Sequence, residues 1–226
     1  MSEAPIVYVV DDDPSVSRAL ERMFRVAGFH LRVFATAEDF LAQGSIVSPS
    51  CLVLDVHLPG RSGLDLQMEL KDRGWSVPII LIAGHGTVPM AVEAMRAGAV
   101  HFLPKPFDNR QLMELVRQAI KTQNQECAKR REDRRISQLL NSLTPREHEV
   151  FLLVAAGLPN KNIASQLGIC LQTVKLHRGR LMQKLEVDSI ADLVRLAEQS
   201  RSIRGSEKAS GTKSAQHPSG HLAIGS

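Results

Sequence analysis

Hydrophobic positions follow two regimes along this chain. Up to about residue 121, short apolar runs alternate with stretches in which apolar residues recur at helical spacing; beyond about residue 138 only the helical spacing remains. The runs of the first regime are IVYVV from Ile6, FHLRVF from Phe29, CLVLD from Cys51, VPIILIA from Val77 and VHFL from Val100. Between them, Val16, Leu20, Met23 and Phe24 mark a helix over Pro14 to Ala27, stopped by Gly28. AEDFLA, GLDLQMELKDRG and Val88 to Ala97 read as further helices, and another begins near Asp108. Five strand–helix units of this length predict an α/β domain with a doubly wound, parallel, five-stranded sheet of flavodoxin-like type and right-handed crossovers.

The second regime predicts a small all-α domain. In TPRE, Thr144 stands as N-cap, Pro145 at the first helical position and Glu147 at the third, a capping-box pattern for a helix running to Gly157. NKNIASQLG and LQTVKLHRGRLMQKL, joined by GIC, have the spacing of a helix-turn-helix. A last helix, SIADLVRLAEQ, carries Ile190, Leu193, Val194 and Ala197 in a stripe open to two uses, packing on the domain or on a second copy. The stretch between the regimes, KTQNQECAKRREDRRISQLLN, is highly charged without Pro or Gly and reads as a helical extension and linker, a disordered linker being the alternative. Past Arg201 a Ser-, Gly- and Lys-rich tail lacks an apolar pattern and is expected to be disordered. The domains are therefore placed at 5–121, linker 122–137, helix-turn-helix domain 138–200 and tail 201–226.

Composition narrows the function classes. With 226 residues and 43% apolar content the chain can build two ordinary cores. No apolar run approaches the span of a bilayer and the N-terminus lacks a basic region, so a cytoplasmic protein without a membrane partner is expected. Cys51, Cys127 and Cys170 are odd in number and widely spaced, against disulfide or zinc frameworks; Cys51 reads as core and the others as plain thiols. Charge is uneven: residues 1–121 hold 12 basic and 14 acidic side chains, whereas 122–200 hold 12 and 9, an excess that suits a nucleic-acid partner for the second half.

Candidate chemistry lies at the strand ends. Carboxyl ends of parallel strands line one edge of the sheet, which brings Asp11, Asp12, Asp55 and Lys105 around one crevice. Crowded carboxylates repel, so their joint ionisation calls for a cation, and oxygen ligands favour a hard ion such as Mg²⁺. Lys105 then offers a point charge for a phosphoryl oxygen, and the set suits phosphoryl transfer to Asp55. Asp13, just before Pro14, reads instead as a helix cap. In the second domain Val174, Leu181 and Leu185 take the buried side of the second helix, leaving Lys175, His177, Arg178, Arg180 and Lys184 as a basic face for DNA.

The motifs VVDDD, LVLDVHLPGRSGLDL, GHG, MAVEAMRAGAVHFLPKPF, LTPREHEVFLLVAAGLPNKNIA and TVKLHR together resemble those of a two-component response regulator of the NarL/FixJ group, over roughly nine-tenths of the chain. The resemblance implies a receiver domain followed by a LuxR-type DNA-binding domain, with Asp55 accepting phosphate from a sensor histidine kinase. It implies Mg²⁺ held by Asp12 and Asp55, with Asp11 of the acidic pair and the backbone carbonyl of His57; the imidazole of His57 is unsuited to such a site. It places Lys105 on the phosphoryl group, makes the Lys105–Pro106 bond cis, and puts the aromatic switch at Phe102. It also implies a homodimer on activation, through the Val88 to Phe107 region with the following helix or through the Ile190–Ala197 stripe, and a partnership with RNA polymerase. Lys175, Leu176 and Gly179 match positions that reach the major groove, flanked by His177 and Arg178. Lys161, Asn162 and Thr173 are counted with the DNA contacts, while Arg178, Arg180 and Lys184 are assigned more to phosphates.

One position departs from the pattern. Where the family usually carries Thr or Ser at the end of the fourth strand, this chain has Ala83, and the resemblance puts His85 beside the path of an attacking water. Two other functions stay open on the sequence. One is an aspartyl phosphatase acting on small esters, disfavoured by short loops that leave no substrate cap. The other is a DNA-binding protein whose receiver serves only for dimerisation, which Ala83 keeps in play.

Overall fold

The computed structural model describes residues 4–47 and 49–211, with their side chains up to Ile203. It divides into two compact units between Ala128 and Lys129.

The N-terminal unit alternates strands and helices: β1 Ile6–Val10, α1 Pro14–Val26, β2 His30–Phe34, α2 Ala37–Ala42, β3 Ser50–Asp55, α3 Gly63–Asp72, β4 Ile79–Ala83, α4 Val88–Ala97, β5 His101–Pro104 and α5 Asn109–Asn141. The strands form one parallel sheet in the order β2-β1-β3-β4-β5. The period-two alternation of strand side chains sorts the apolar residues into two layers. Tyr8, Val10, Leu52, Leu54 and Leu81 pack with Phe40 of α2 and Leu66 and Leu70 of α3. Val7, Val9, Val53, Ile80 and Ile82 pack on the other face with Leu20 and Phe24 of α1 and Leu112 and Val116 of α5. The central strands are buried on both faces, which is why they read as continuous apolar runs. Cys51 lies within the second layer, where burial pushes its thiol pKa up.

Three of the helices leaving the sheet are started by a capping side chain. Asp13 caps α1 by accepting from the Ser15 amide at 2.7 Å, Ser62 and Asp65 form a capping box on α3, and Thr87 caps α4. These caps satisfy amides that otherwise lack partners and fix where the strand ends hand over to helix.

The C-terminal unit is helical: the end of α5, then α6 Pro145–Ala155, α7 Asn160–Leu167, α8 Leu171–Lys184 and α9 Ile190–Gly211. The Thr144–Glu147 capping box starts α6. Gly168, with φ 65°, makes the turn between α7 and α8. Val150, Phe151 and Val154 of α6, Ile163 of α7, Val174 and Leu181 of α8, Leu185, and Leu193 and Ala197 of α9 share one core.

Two boundaries differ from the sequence reading. The stretch placed as a helical linker, 122–137, is helical as read, within α5, but its ends are buried in the units themselves. Gln123 accepts from the Ser50 amide at 2.8 Å and donates to the Ser76 carbonyl at 3.0 Å, while Ile136 lies in the C-terminal core. The tail from residue 201 was expected without structure, yet α9 continues to Gly211. No Pro interrupts the chain over that span, and Glu, Lys, Ala and Ser tolerate a helix in the absence of an apolar stripe. Residues 212–226 of the expected disordered tail lie outside the described residues. Among the described residues no helix is long and apolar enough to cross a membrane.

Candidate functional site

The crevice at the C-terminal edge of the sheet is assembled by three strand ends. Asp11 follows β1, Asp55 closes β3 and Lys105 follows β5; Asp11 is 2% and Asp55 5% exposed, whereas Asp12 is exposed. Carboxylate oxygens of Asp11, Asp12 and Asp55 all come within 4.8 Å of one another. Lys105 Nζ donates to Asp11 Oδ2 at 2.8 Å and also to Asp55 Oδ2. The other oxygens accept from the backbone, Asp11 Oδ1 from the Asp13 amide at 2.9 Å and Asp55 Oδ1 from the His57 amide at 3.0 Å. The His57 side chain points to solvent exposure and takes no part in the acidic cluster.

Burial pushes the Asp11 pKa above its ordinary value, against the lowering effect of its hydrogen bond from Lys105. For Lys105, burial alone favours the neutral amine, but the hydrogen bonds to Asp11 and Asp55 outweigh it and raise the pKa. One ammonium thus stands among three carboxylates. The all-oxygen donor set with a surplus of negative charge fits a hard divalent cation, and Asp11, Asp12 and Asp55 are the side chains that would hold it.

Two glycines shape this crevice, and the sequence reading singled out neither. A Cβ on Gly63 would sit 2.1 Å from the Asp55 carbonyl oxygen, so only glycine lets α3 start directly behind the acceptor strand. The Gly63 amide uses that closeness to donate to the Val56 carbonyl at 2.9 Å. A Cβ on Gly86 would come 2.7 Å from the Phe102 ring. Phe102 is half-buried and packs with the layer that contains Ala83. Ala83 is fully buried at the end of β4, and its carbonyl accepts from the Lys105 amide at 2.7 Å, so β4 helps to position the lysine through backbone alone. The Lys105–Pro106 bond is cis. His85 is exposed in the turn that follows.

The residues proposed for DNA contact fall into two groups. Lys161 and Asn162 on α7 and Lys175, Leu176, Gly179 and Arg180 on α8 are exposed. Thr173, His177, Arg178 and Lys184 are only partly so, and most of these are engaged within the unit. The Thr173 hydroxyl lies 3.0 Å from Cys170 Sγ, an exposed thiol whose pKa is lowered by that hydrogen bond. Arg178 donates to Asn160 Oδ1 at 2.6 Å, tying α8 to the start of α7. His177 Nδ1 is shut away from solvent without a hydrogen-bond partner among the described residues.

Lys184 requires a correction. It donates to Glu147 at 2.7 Å and to the Ser142 carbonyl at 3.2 Å. Glu147 is buried, and a buried carboxylate demands a paired cation, so Lys184 works within the domain instead of on phosphates. The dimer stripe is corrected in the same sense. Leu193 and Ala197 are buried in the domain's own core, and only Ile190 and Val194 keep surface.

Comparisons with known proteins cover both units. Residues 7–117 match the response regulator receiver domain family and residues 141–197 match the luxR family of bacterial regulatory proteins. Nodulation protein W of Bradyrhizobium diazoefficiens is 44% identical over 197 residues, covering 87% of this chain and 87% of its own length. The transcriptional regulatory protein FixJ of Rhizobium meliloti is 40% identical over 191 residues, covering 84% and 94%. A solved structure of the response regulator StyR superposes with a TM-score of 0.80 at 44% identity, covering 87% of this chain and 99% of that one. With relatives of this similarity spanning both units, the chain belongs to the two-component response regulators of the NarL/FixJ group, a receiver followed by a LuxR-type DNA-binding domain.

Proposed function

We propose that Asp55 accepts a phosphoryl group from a phosphohistidine of a sensor kinase, and that the phosphorylated receiver alters dimerisation and promoter binding by the C-terminal domain in the cytoplasm. The observation that carries this reading is the bridge from Lys105 to both Asp11 and Asp55 at the sheet edge. A carboxylate oxygen of Asp55 forms the new bond to phosphorus as the phosphorus–nitrogen bond to the donor imidazole breaks, and a proton goes to the departing nitrogen. Lys105 gives up its bond to Asp55 and pairs with a phosphoryl oxygen. Asp11, Asp12 and Asp55, with the His57 carbonyl, would hold Mg²⁺, which when bound offsets the charge on the phosphoryl oxygens. The receiver would act on transcription as a homodimer in contact with RNA polymerase.

Ala83 favours a second reading of how strongly the switch works. A Thr or Ser hydroxyl at this position would hydrogen-bond a charged phosphoryl oxygen, an interaction of about 1.5–3 kcal/mol. The methyl of Ala83 cannot, and Phe102 already rests against Gly86 in the same layer. Because a ligand shifts a conformational equilibrium only by its differential affinity for the two states, phosphate has less leverage on the β4–α4 turn and Phe102. We therefore expect appreciable DNA binding before phosphorylation and a modest gain after it. Dimerisation and DNA affinity, measured with and without a phosphoryl mimic in the parent and in Ala83→Thr, test this. A large response in the parent that Ala83→Thr leaves unchanged would refute the weak-switch reading.

A further inference from the structure

Basic residues gather on a second surface of the C-terminal unit, outside the two helices already assigned to DNA. The segment of α5 that belongs to this unit begins KRREDRR at Lys129. Ile136 and Leu140 bury one side of it in the core. Arg131, Arg134, Arg135 and Gln138 recur at the three- and four-residue spacing of a single helical face, and all four are exposed. The strip holds cations and no acid.

A helix face that needs only to stay in solvent commonly alternates its charges, so that acids and bases pair one turn apart. Here they do not. The residues three and four places from Arg131 are Cys127, Ala128, Arg134 and Arg135, and those around Arg134 are Arg130, Arg131, Ser137 and Gln138. Neither Arg131 nor Arg134 has an ion-pair partner among the described residues, and each faces like charge, which weakens a helix. Arginine brings no compensating gain in helix propensity over glutamate or glutamine. A polyanion laid along the strip relieves that repulsion, and the planar guanidinium suits phosphate oxygens bidentately.

The place of the strip fits duplex DNA. Arg135 pairs with Glu186, two residues beyond the end of α8 at Lys184, and so holds the strip beside the C-terminal end of that helix. A helix that enters the major groove can leave its C-terminal end on the sugar-phosphate backbone.

We propose that Arg131 and Arg134 of α5 form a second DNA contact, gripping phosphates beside the groove that α8 occupies, while Arg135 anchors the strip to the turn after α8. This proposal rests on the DNA-binding assignment of the C-terminal unit and adds to it a surface outside the helix-turn-helix.

The test uses the full chain and two duplexes of equal length, one carrying a site selected from a random-sequence library and one of random sequence. Affinities are measured over a range of salt concentrations for the parent, for Arg131→Gln/Arg134→Gln, and for a charge-matched control, Arg195→Gln/Arg201→Gln, on exposed positions of α9. Arg131→Gln/Arg134→Gln lowers the dependence of log affinity on log salt by about 1.8, the value for two lost phosphate contacts. It weakens binding to both duplexes by the same factor, and the control keeps the slope of the parent. An unchanged slope in the α5 variant, or an equal fall in the control, overturns the proposal and leaves DNA binding by α8 intact. A changed ratio of specific to random binding also overturns it, since the strip would then read bases. A parent that binds neither duplex overturns both the proposal and the assignment beneath it.

Discussion

In the receiver the functional charges are bonded to one another, whereas those at the centre of the α8 face are held out to solvent. Lys105 joins Asp11 and Asp55 in a crevice where burial raises the pKa of Asp11, and each acid is also fixed by a backbone amide. Lys175 and Arg180 are exposed and form no ion pair among the described residues. The difference separates two kinds of function. A site whose charges are already paired acts by exchanging partners, so it responds to a group that competes for Lys105. A face whose charges are unpaired acts by meeting a ready-made counter-charge, and its strength falls with salt. Within the C-terminal unit the same distinction separates Lys175 from Lys184, since the latter is paired with buried Glu147.

The largest effect is expected where the receiver site has no slack. Gly63→Ala places a methyl group against the Asp55 carbonyl and forces α3 or the strand end to move, which should destabilise the receiver by about 3 kcal/mol. Urea unfolding of the full chain followed by circular dichroism checks this, and an unshifted first transition would mean that α3 is not fixed as described.

Next comes the contrast between the two lysines. Lys175→Ala should weaken binding to a selected site by about 1–3 kcal/mol while changing binding to random duplex much less. Lys184→Ala should leave the ratio of specific to random binding unchanged and lower the stability of the helical unit instead. Titrations of both variants on both duplexes would break the comparison if Lys184→Ala lost specificity and Lys175→Ala did not.

The smallest expected effect concerns Glu147. Its hydrogen bond from Lys184, followed by that from the Thr144 amide, lowers its pKa from 4.5 to about 2. A carboxylate depressed on folding contributes stability that is complete above about pH 4.5 and is lost as pH falls through about 2. Glu147→Ala should cost about 1 kcal/mol near neutral pH through the lost cap, and should flatten the fall in stability over that acid window. Unfolding midpoints at neutral pH and near pH 3 measure it. An acid dependence identical to the parent would remove Glu147 from that role.

Much of this architecture was legible because its causes are local in sequence. Apolar runs ending in Asp11, Asp55 and the Lys105–Pro106 pair announced strands delivering charge to one edge, and Thr144, Pro145 and Glu147 announced a helix start. The misplaced features depend on distant partners. Nothing near Lys184 in the sequence shows that Glu147 is buried beneath it, and the Leu193 and Ala197 stripe does not say which surface it covers. Gln123 looked like linker because its partners, Ser50 and Ser76, belong to other elements. Gly63 and Gly86 stand in the sequence only as members of the PGRSG and GHG motifs, because what makes them necessary is a carbonyl and a ring brought close only by the fold.

Every role proposed for the crevice depends on Asp55 as the acceptor. The most direct measurement is the intact mass of the full chain after incubation with acetyl phosphate and Mg²⁺, for the parent and for Asp55→Asn. One added phosphoryl group on the parent, its loss when the metal is chelated, and none on Asp55→Asn are the predicted results. Equal labelling of the two proteins, or labelling of the parent that ignores the metal, would contradict it.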